Sequence, residues 1–237
     1  MTDGHVGSQK KVAASKKRPQ RIMIVDDHPL VREGLVSLIR MTSDLTVSGQ
    51  AGSSDEAKKE LAKNTHDLLL LDLSLPGGSG IELLKEVCSR YTRLRVLVLS
   101  MYEEGVYAER VLRAGAHGYI MKQEPGARIV EAIRCVLRGE LYVGPAIAAQ
   151  LVKQFLDGKQ VDTCADIGKL SDRELQVYMC LGNGMTSQQI AERFGLSVKT
   201  VHTHREHIKR KLGLLNATNL VHHAIHWIQT CSGQAQP

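Results

Sequence analysis

The chain has 237 residues, of which 43% are hydrophobic and 24% are charged; this is ordinary usage for a globular protein and excludes a collagen-like, fibrous or wholly disordered chain. The formal net charge of +6 lies at the two ends, since residues 1–20 carry five Lys/Arg against one acid and residues 167–237 carry eight against four. A basic terminal module suggests a nucleic-acid partner, although a solvated surface often has the same charge.

Residues 1–20 are rich in Ser, Lys and Gly and show no hydrophobic periodicity. We expect a flexible basic tail here. A solvated leader is the simplest interpretation, and an arm that holds DNA without sequence preference is the alternative.

Residues 21–140 alternate short apolar runs with amphipathic stretches. The runs predict five strands, at residues 22–25, 45–47, 68–71, 96–99 and 119–121. The stretches predict five helices, one opening at Pro29 and the others at residues 54–63, 81–90, 106–114 and 127–138. Nearly continuous apolar strands that alternate with helices indicate a parallel sheet covered on both faces. Because crossovers are right-handed, we predict an α/β domain with a doubly wound five-stranded sheet.

Residues 141–166 are the predicted linker, with helical character at 146–156 and a polar, Gly-containing stretch after it. From residue 167 to about 232 the strand pattern stops, and the sequence predicts a small all-α domain.

Polar side chains follow four of the predicted strands. Asp26 and Asp27 end the first strand, Asp72 the third, Ser100 the fourth and Lys122 the fifth. In a parallel sheet these ends share one edge, where ligands bind. Three converging carboxylates favour a hard divalent cation such as Mg²⁺, and a hydroxyl beside an ammonium suits a tetrahedral anion. The pattern predicts phosphoryl transfer to a carboxylate, although a lone Asp after a strand is usually only a helix cap or loop residue.

The motifs around these residues resemble those of response-regulator receiver domains, at the expected spacing. The matching segments are Asp26-Asp27-His28-Pro29, Leu71-Asp72-Leu73-Ser74-Leu75-Pro76, Leu99-Ser100 and Tyr119-Ile120-Met121-Lys122. The resemblance, and not the periodicity, implies the strand order of a flavodoxin-like sheet. It also implies a sensor histidine kinase as the partner that phosphorylates this chain.

The resemblance assigns a role to each of these polar residues. Asp72 is implied to be the phosphoacceptor, and Asp27, Asp72 and the Ser74 backbone carbonyl to ligate Mg²⁺. The remaining implied roles are a metal contact through water for Asp26, a hydrogen bond to the phosphoryl group for Ser100, an ion pair with it for Lys122 and an aromatic switch for Tyr119.

Other phosphate chemistries fit the sequence less well. A haloacid-dehalogenase-like phosphatase needs a second Asp two residues after its nucleophile, where this chain has Ser74. The Gly-rich turn before Leu83 lacks the third Gly of a dinucleotide fingerprint, and no Gly-Lys-Ser/Thr phosphate loop occurs.

The terminal module shows the start and stop signals of four helices. Ser171 and Thr186 each open a capping box, Ser197 caps a third helix over 198–212, and Asn216 caps a fourth that reaches about residue 229. Only about three residues separate the second and third helices, which is the spacing of a helix-turn-helix.

The third helix has an apolar seam and an opposite hydrogen-bonding face. Val198, Val201, Ile208 and Leu212 form the seam, and the outer face and its flanks carry the predicted DNA contacts Lys199, His202, Thr203, Glu206, Lys209 and Arg210. An ordinary amphipathic helix with a solvated face is the alternative for this helix taken alone.

The whole segment resembles a LuxR-type helix-turn-helix. The matching segments are Leu170-Ser171-Asp172-Arg173-Glu174, Ile190-Ala191, 196–201 and Lys211-Leu212-Gly213. Together with the receiver motifs, the resemblance spans about residues 21–229 and implies a NarL/FixJ response regulator. His202 and Glu206 stand where that family commonly has basic residues.

The last helix carries an apolar stripe of Leu220, Val221, Ala224, Ile225 and Ile228, with Trp227 beside it. We predict that it forms a homodimer on double-stranded DNA, and the alternative is that the stripe only closes the four-helix core. The histidines of the module are too poorly supported by Cys or acidic partners to favour zinc.

These patterns together predict a non-enzymatic, phosphorylation-controlled DNA-binding regulator that uses Mg²⁺. A phosphorylation-independent DNA-binding scaffold and a metal-dependent phosphohydrolase are the alternatives. The sequence has no apolar run near the roughly 18 residues of a spanning helix and no secretory signal, so no membrane partner is expected. Five widely spaced cysteines favour a reducing cytoplasm.

Overall fold

The computed structural model describes residues 18–76, 80–101, 104–145, 147–149, 152 and 165–232. In the first part, five strands alternate with five helices. In chain order these are β1 (Gln20–Val25), α1 (Pro29–Arg40), β2 (Leu45–Ala51), α2 (Ser54–Lys63), β3 (Leu68–Asp72), α3 (Gly80–Arg90), β4 (Arg95–Ser100), α4 (Glu104–Arg113), β5 (Gly118–Met121) and α5 (Gly126–Leu137).

The strands form one parallel sheet in the order β2-β1-β3-β4-β5. β1 pairs with β2 and β3, β3 with β4, and β4 with β5. This order reverses direction between β1 and β3, so the carboxyl ends of those strands open a crevice at the sheet edge. The predicted doubly wound, flavodoxin-like sheet is confirmed.

The sheet residues alternate between two apolar layers. Met23, Leu69 and Val98 point into a layer that also contains side chains of α2, α3 and α4. Ile24, Leu70 and Leu99 point into the opposite layer, with side chains of α1 and α5. Because side chains alternate along a strand, both faces of each central strand are covered, which explains the continuous apolar runs.

The predicted strands and helices differ from the observed ones mainly at their ends. The largest difference is β2, which continues to Ala51 because it pairs with β1 along that strand's full length. α2 begins and ends where predicted, and its first turn is capped by Ser53, whose side chain accepts from the Glu56 amide.

The terminal module contains a short helix and four longer ones. They are α6 (Ala165–Gly168), α7 (Asp172–Gly182), α8 (Ser187–Phe194), α9 (Val198–Leu212) and α10 (Ala217–Ser232). Both predicted capping boxes form, and Ser197 caps α9. Gly195 and Gly213 end α8 and α9 in the left-handed region, at φ of 62° and 66°, where a side chain would be strained.

The predicted tail and linker lie largely outside the described residues. Residues 1–17 are outside them, as is most of the helix expected at 146–156. The boundaries at residues 20, 140 and 166 therefore stay predictions. Within the described ranges, every helix is too short or too polar to cross a membrane.

Candidate functional site

Three carboxylates meet at the carboxyl edge of the sheet, where β1 and β3 lie side by side. Asp26 and Asp72 are each 1% exposed, and the Asp27 side chain is 26% exposed. Their carboxylates and the His28 ring each place a possible ligand atom within 4.8 Å of the others. The sheet order thus brings together the acidic residues that the sequence predicted at one edge.

Lys122 neutralises two of these carboxylates at once. Its Nζ lies 2.6 Å from Asp26 Oδ2 and 2.7 Å from Asp72 Oδ2, and its side chain is 4% exposed. Lys122 follows β5, which β4 separates from Asp72, so the long side chain is what reaches the acidic cluster. One ammonium between two buried carboxylates leaves a local excess of negative charge.

Burial raises the pKa of Asp72 above its ordinary value, while the charge of Lys122 opposes this shift. The Asp26 carboxylate also contributes to the increase. Desolvation and a like charge therefore both act against the ionised form of Asp72. A cation bound at this edge would relieve both effects.

His28 belongs to this cluster, although the sequence reasoning gave it no role. Its Nδ1 lies 2.7 Å from Asp27 Oδ1 and 3.3 Å from Asp26 Oδ1, and its backbone amide donates to Asp26 Oδ1 at 2.8 Å. The signal was its position directly after the two acidic residues. Arg32 was also missed; its Nη1 donates to the Asp26 carbonyl at 2.6 Å.

The cluster fits a hard cation such as Mg²⁺. Its carboxylates supply oxygen ligands, of which Asp26 Oδ2 contacts Lys122 and Asp27 Oδ1 contacts His28. Carboxylate oxygens are the ligands that Mg²⁺ prefers in proteins. In the described part of the chain, no other group of three or more His, Cys, Asp or Glu residues has this spacing, so the zinc alternative gains no support.

The remaining predicted receiver residues lie at the same edge or beneath it. Ser100 is fully buried at the end of β4, and Tyr119 is 1% exposed in β5. The Ser74 amide donates to Asp72 Oδ1 at 3.1 Å, which fixes the turn after β3. The roles that the resemblance gives to Ser74, Ser100 and Tyr119 stay predictions.

The predicted DNA-contacting face of α9 is open to solvent. Lys199, His202, Thr203, Glu206 and Arg210 are all exposed. Val201 and Ile208 are fully buried on the opposite side, as the seam predicted. Val198 departs from that prediction, because it is the first residue of α9 and is 41% exposed.

Two contacts refine the chemistry of this face. Glu206 Oε1 lies 2.8 Å from Lys209 Nζ, so the cation nearest to Glu206 is three residues later and not Arg210 at four. The Lys209 side chain is only 17% exposed. The Thr203 hydroxyl donates to the Lys199 carbonyl at 3.1 Å, which leaves its oxygen lone pairs as the groups available to a base.

Most of the apolar stripe on α10 packs against α7 within the same module. Leu220 and Ala224 are fully buried, and the Trp227 ring meets the Tyr178 ring edge-on at 5.8 Å. These contacts favour the alternative that the stripe closes the helical core. Val221, Ile225 and Ile228 stay partly exposed, although Val221 and Ile228 also pack against the core.

The terminal module also docks on the receiver part of the chain, through contacts that the sequence did not predict. Arg110 of α4 donates to the carbonyls of Ile167, Gly168 and Leu170 at 3.0, 3.2 and 2.9 Å. Asp172 forms ion pairs with Arg110 at 3.3 Å and with Lys85 at 3.0 Å.

A second contact joins the module to the turn directly after Asp72. Gln176 Nε2 donates to the Leu73 carbonyl at 3.3 Å, and Gln176 is 1% exposed. Leu73 belongs to the receiver motif, but nothing in the sequence predicts its contact with Gln176, which lies 103 positions away. The docked module nevertheless leaves the outer face of α9 uncovered.

Comparisons with known proteins match both parts of the chain. Residues 22–134 match the family of response regulator receiver domains, and residues 168–224 match the bacterial regulatory proteins of the luxR family. The oxygen regulatory protein NreC of Staphylococcus carnosus is 34% identical over 209 residues, which cover 86% of this chain and 96% of NreC. NreC of Staphylococcus aureus strain MRSA252 is 36% identical over 209 residues, which cover 86% of this chain and 96% of that protein.

Solved structures show the same architecture. A LuxR-family two-component response regulator from Aurantimonas is 34% identical with a TM-score of 0.54, covering 58% of this chain and 99% of that one. RcsB from Salmonella enterica, solved on the rprA promoter with the phosphomimetic BeF3-, is 24% identical with a TM-score of 0.60. The match covers 88% of this chain and 99% of RcsB. At that identity, the likeness to RcsB bears on the fold alone.

Proposed function

The chain belongs to the LuxR-family two-component response regulators, whose phosphorylation by a sensor histidine kinase controls DNA binding and transcription, and we propose that Asp72 receives the phosphoryl group here. The observation that carries this proposal is the Lys122 ammonium held between Asp26 and Asp72 at 2.6 and 2.7 Å. It places a fixed positive charge beside the one carboxylate that ends β3.

In the proposed step, an Asp72 carboxylate oxygen attacks the phosphorus of the kinase phosphohistidine. A P–O bond forms, the P–N bond breaks, and the histidine nitrogen keeps the electron pair. Lys122 pairs with the transferred phosphoryl oxygens, and the buried Ser100 hydroxyl donates a hydrogen bond to them. Mg²⁺, when held by Asp27, Asp72 and the Ser74 carbonyl with Asp26 acting through water, supplies further charge neutralisation.

The interface between the two parts of the chain supports a route from Asp72 to DNA binding. Gln176 touches the turn after Asp72, and Arg110 lies on α4, which follows Ser100. A change at Asp72 or Ser100 would alter both contacts and release the terminal module. Because the α9 face is exposed in the docked chain, release acts by freeing the module to pair with a second copy, and not by uncovering the helix.

The proposal includes a homodimer on double-stranded DNA, a cytoplasmic location and the absence of substrate turnover. Val221 and Ile225 are partly exposed apolar side chains of α10 that a partner copy could cover. Ser74, two residues after Asp72, offers a hydroxyl where a phosphatase needs a second carboxyl group to act as acid and base. The phosphoryl group therefore acts as a signal on this chain.

DNA binding by the full chain, before and after treatment with acetyl phosphate and Mg²⁺, tests the proposal. We expect tighter operator binding after phosphorylation. Arg110→Ala should raise the affinity of the unphosphorylated chain for operator DNA about tenfold, because it removes charge-assisted hydrogen bonds between the receiver and the terminal module. Arg113→Ala is the matched control, since Arg113 pairs with Glu109 on the same helix. Phosphorylation at Asp72 that leaves DNA affinity unchanged would contradict the proposal.

The dimer needs a separate test, because a charge at the fully buried Ala224 would unfold the module. Val221→Glu places the charge at the partly exposed edge of the stripe instead. We expect this variant to keep its helical content and to bind operator DNA as a monomer in sedimentation experiments. A folded variant that still binds as a dimer would exclude α10 as the contact.

A further inference from the structure

A cavity of about 500 Å³ lies at the edge of the sheet opposite to the carboxylate cluster. It is formed by the residues that precede β1, β3 and β4, including the turns after α2 and α3. Its volume is in the range of pockets that bind small organic ligands. None of the residues discussed so far as receiver or DNA-contacting groups lines it.

The cavity is strongly cationic. Arg18, Arg21, Arg90 and Arg93 line it, against the single carboxylate of Asp67. Asp67 is shared by Arg18 at 3.3 Å and Arg21 at 3.6 Å. Within the described residues, neither Arg90 nor Arg93 has a carboxylate within the 4.0 Å of an ion pair. Two guanidinium groups therefore face the cavity without a counter-charge.

One of these guanidinium groups is held in place by a ring. The Arg90 Cζ lies 5.7 Å from the centroid of the Tyr91 ring. A guanidinium stacked in this way loses less freedom when it binds an anion than a fully mobile one does. Arg90 is exposed, and the Tyr91 ring restricts where its guanidinium lies.

One buried polar atom at the cavity also lacks a hydrogen-bond partner. His66 Nε2 is buried without a hydrogen bond, whereas Arg21 Nε is held by Asp67 at 3.6 Å. Ser48 Oγ lies 2.7 Å from the other ring nitrogen, His66 Nδ1. When Ser48 donates to Nδ1, His66 Nε2 carries the proton and becomes a buried donor. A buried donor normally has an acceptor, so His66 Nε2 points to one that a ligand would supply.

We propose that this cavity binds a small phosphate-bearing anion of the size of an organic diphosphate. Donors reach it from three directions, from Arg21 on β1, His66 after α2 and Arg93 after α3. A phosphate offers acceptor oxygens in three directions, whereas a planar carboxylate has two oxygens, so phosphate satisfies more of these donors. The N-terminal segment adds little negative charge that could neutralise the cavity, because residues 1–17 contain one acid and four lysines.

Isothermal titration of the full chain with inorganic pyrophosphate, without Mg²⁺ and at low salt, tests the proposal. We expect saturable 1:1 binding that Arg93→Ala and Arg90→Ala each weaken by about tenfold, the loss expected for one charge-assisted contact. Asp72→Asn should bind pyrophosphate like the unchanged chain, because Asp72 lies at the opposite edge. This separates the cavity from the phosphorylation site.

Arg210→Ala is the control for pyrophosphate bound at the DNA-contacting face of α9. Absence of binding, or binding that Arg210→Ala weakens while Arg93→Ala does not, overturns the proposal. A short DNA duplex and ADP then distinguish the source of the phosphate. If the duplex competes with pyrophosphate and Arg93→Ala weakens its binding tenfold, the ligand is a DNA backbone phosphate and the proposal of a small anion is overturned. If ADP alone competes, the ligand is a small phosphate-bearing molecule and the proposal is supported.

Discussion

The two charged regions of this protein are built in opposite ways. At the sheet edge, Asp26, Asp72 and Lys122 have side chains between 1% and 4% exposed and held in one arrangement. On α9, Glu206 is 68% exposed, and Lys199 and Arg210 are exposed as well. Buried charges interact strongly and tolerate few geometries, whereas exposed charges interact weakly and adapt to a partner. The first arrangement suits a defined chemical step and the second suits recognition of a polyanion.

Asp72→Asn should have the largest effect on the buried region, with complete loss of phosphorylation and little change in fold. The amide keeps the side-chain volume but cannot form an acyl phosphate. Incorporation from a radioactive small phosphodonor measures this loss. Asp44→Asn, at an exposed carboxylate paired with Arg134, is the control. Incorporation that persists in Asp72→Asn would show that another residue accepts the group.

Substitution of one lysine in each region tests the contrast in energy. Lys122→Met leaves two buried carboxylates without their cation and should lower the free energy of unfolding by about 3–5 kcal/mol. Lys209→Met breaks the ion pair with the exposed Glu206 and should change the free energy of unfolding by about 1 kcal/mol or less. Urea denaturation of both variants measures the difference.

The double variant Asp26→Asn/Lys122→Met should recover part of the lost stability, because it removes one of the uncompensated charges. Equal effects of the two lysine substitutions would show that the buried cluster is solvated, and the contrast between the regions would then be lost.

Glu206 tests whether the exposed region reads bases. If Glu206 accepts from a cytosine amino group, Glu206→Gln should relax preference at one operator position by about 1–3 kcal/mol. If it only orients Lys209, its partner at 2.8 Å, the same variant should weaken all sites together. Binding to a library of operator variants separates these outcomes. Tighter binding of Glu206→Ala to every sequence, with preference unchanged, would show that Glu206 merely repels the backbone.

The smallest expected effects are those of single phosphate contacts on α9. Lys199→Ala and Arg210→Ala should each flatten the slope of log affinity against log salt by about one unit, with sequence preference kept. DNA titrations at several salt concentrations give the slope, and Arg113→Ala should leave it unchanged. If either variant changes the sequence preference instead, the substituted residue contacts bases and not phosphates.

The sequence predicted the buried region well because periodicity and strand ends locate it. Each residue of the cluster follows a strand of nearly continuous apolar residues, and the parallel sheet then brings Asp26, Asp72 and Lys122 to one edge. The position of the His28 ring between Asp26 and Asp27 was not predicted, because it depends on how the chain turns after β1.

Contacts between the two parts of the chain could not be predicted in the same way. The Gln176–Leu73 hydrogen bond joins a glutamine on a helix to a backbone carbonyl, and no sequence signal predicts this contact. The α10 stripe shows the opposite problem, since its pattern fits both core closure and dimerisation. Only the packing of Leu220 and Ala224 against α7 shows which side chains are left for a partner.

The exposed face of α9 in the docked chain has a kinetic consequence. Nonspecific DNA binding depends on cationic groups that can reach phosphates, and Lys199 and Arg210 are exposed before any phosphorylation. We therefore expect the unphosphorylated protein to reside on the chromosome and to slide along it. Activation would then find the regulator already close to its operators, so that the response time would depend on dimer formation along DNA and not on diffusion through solution.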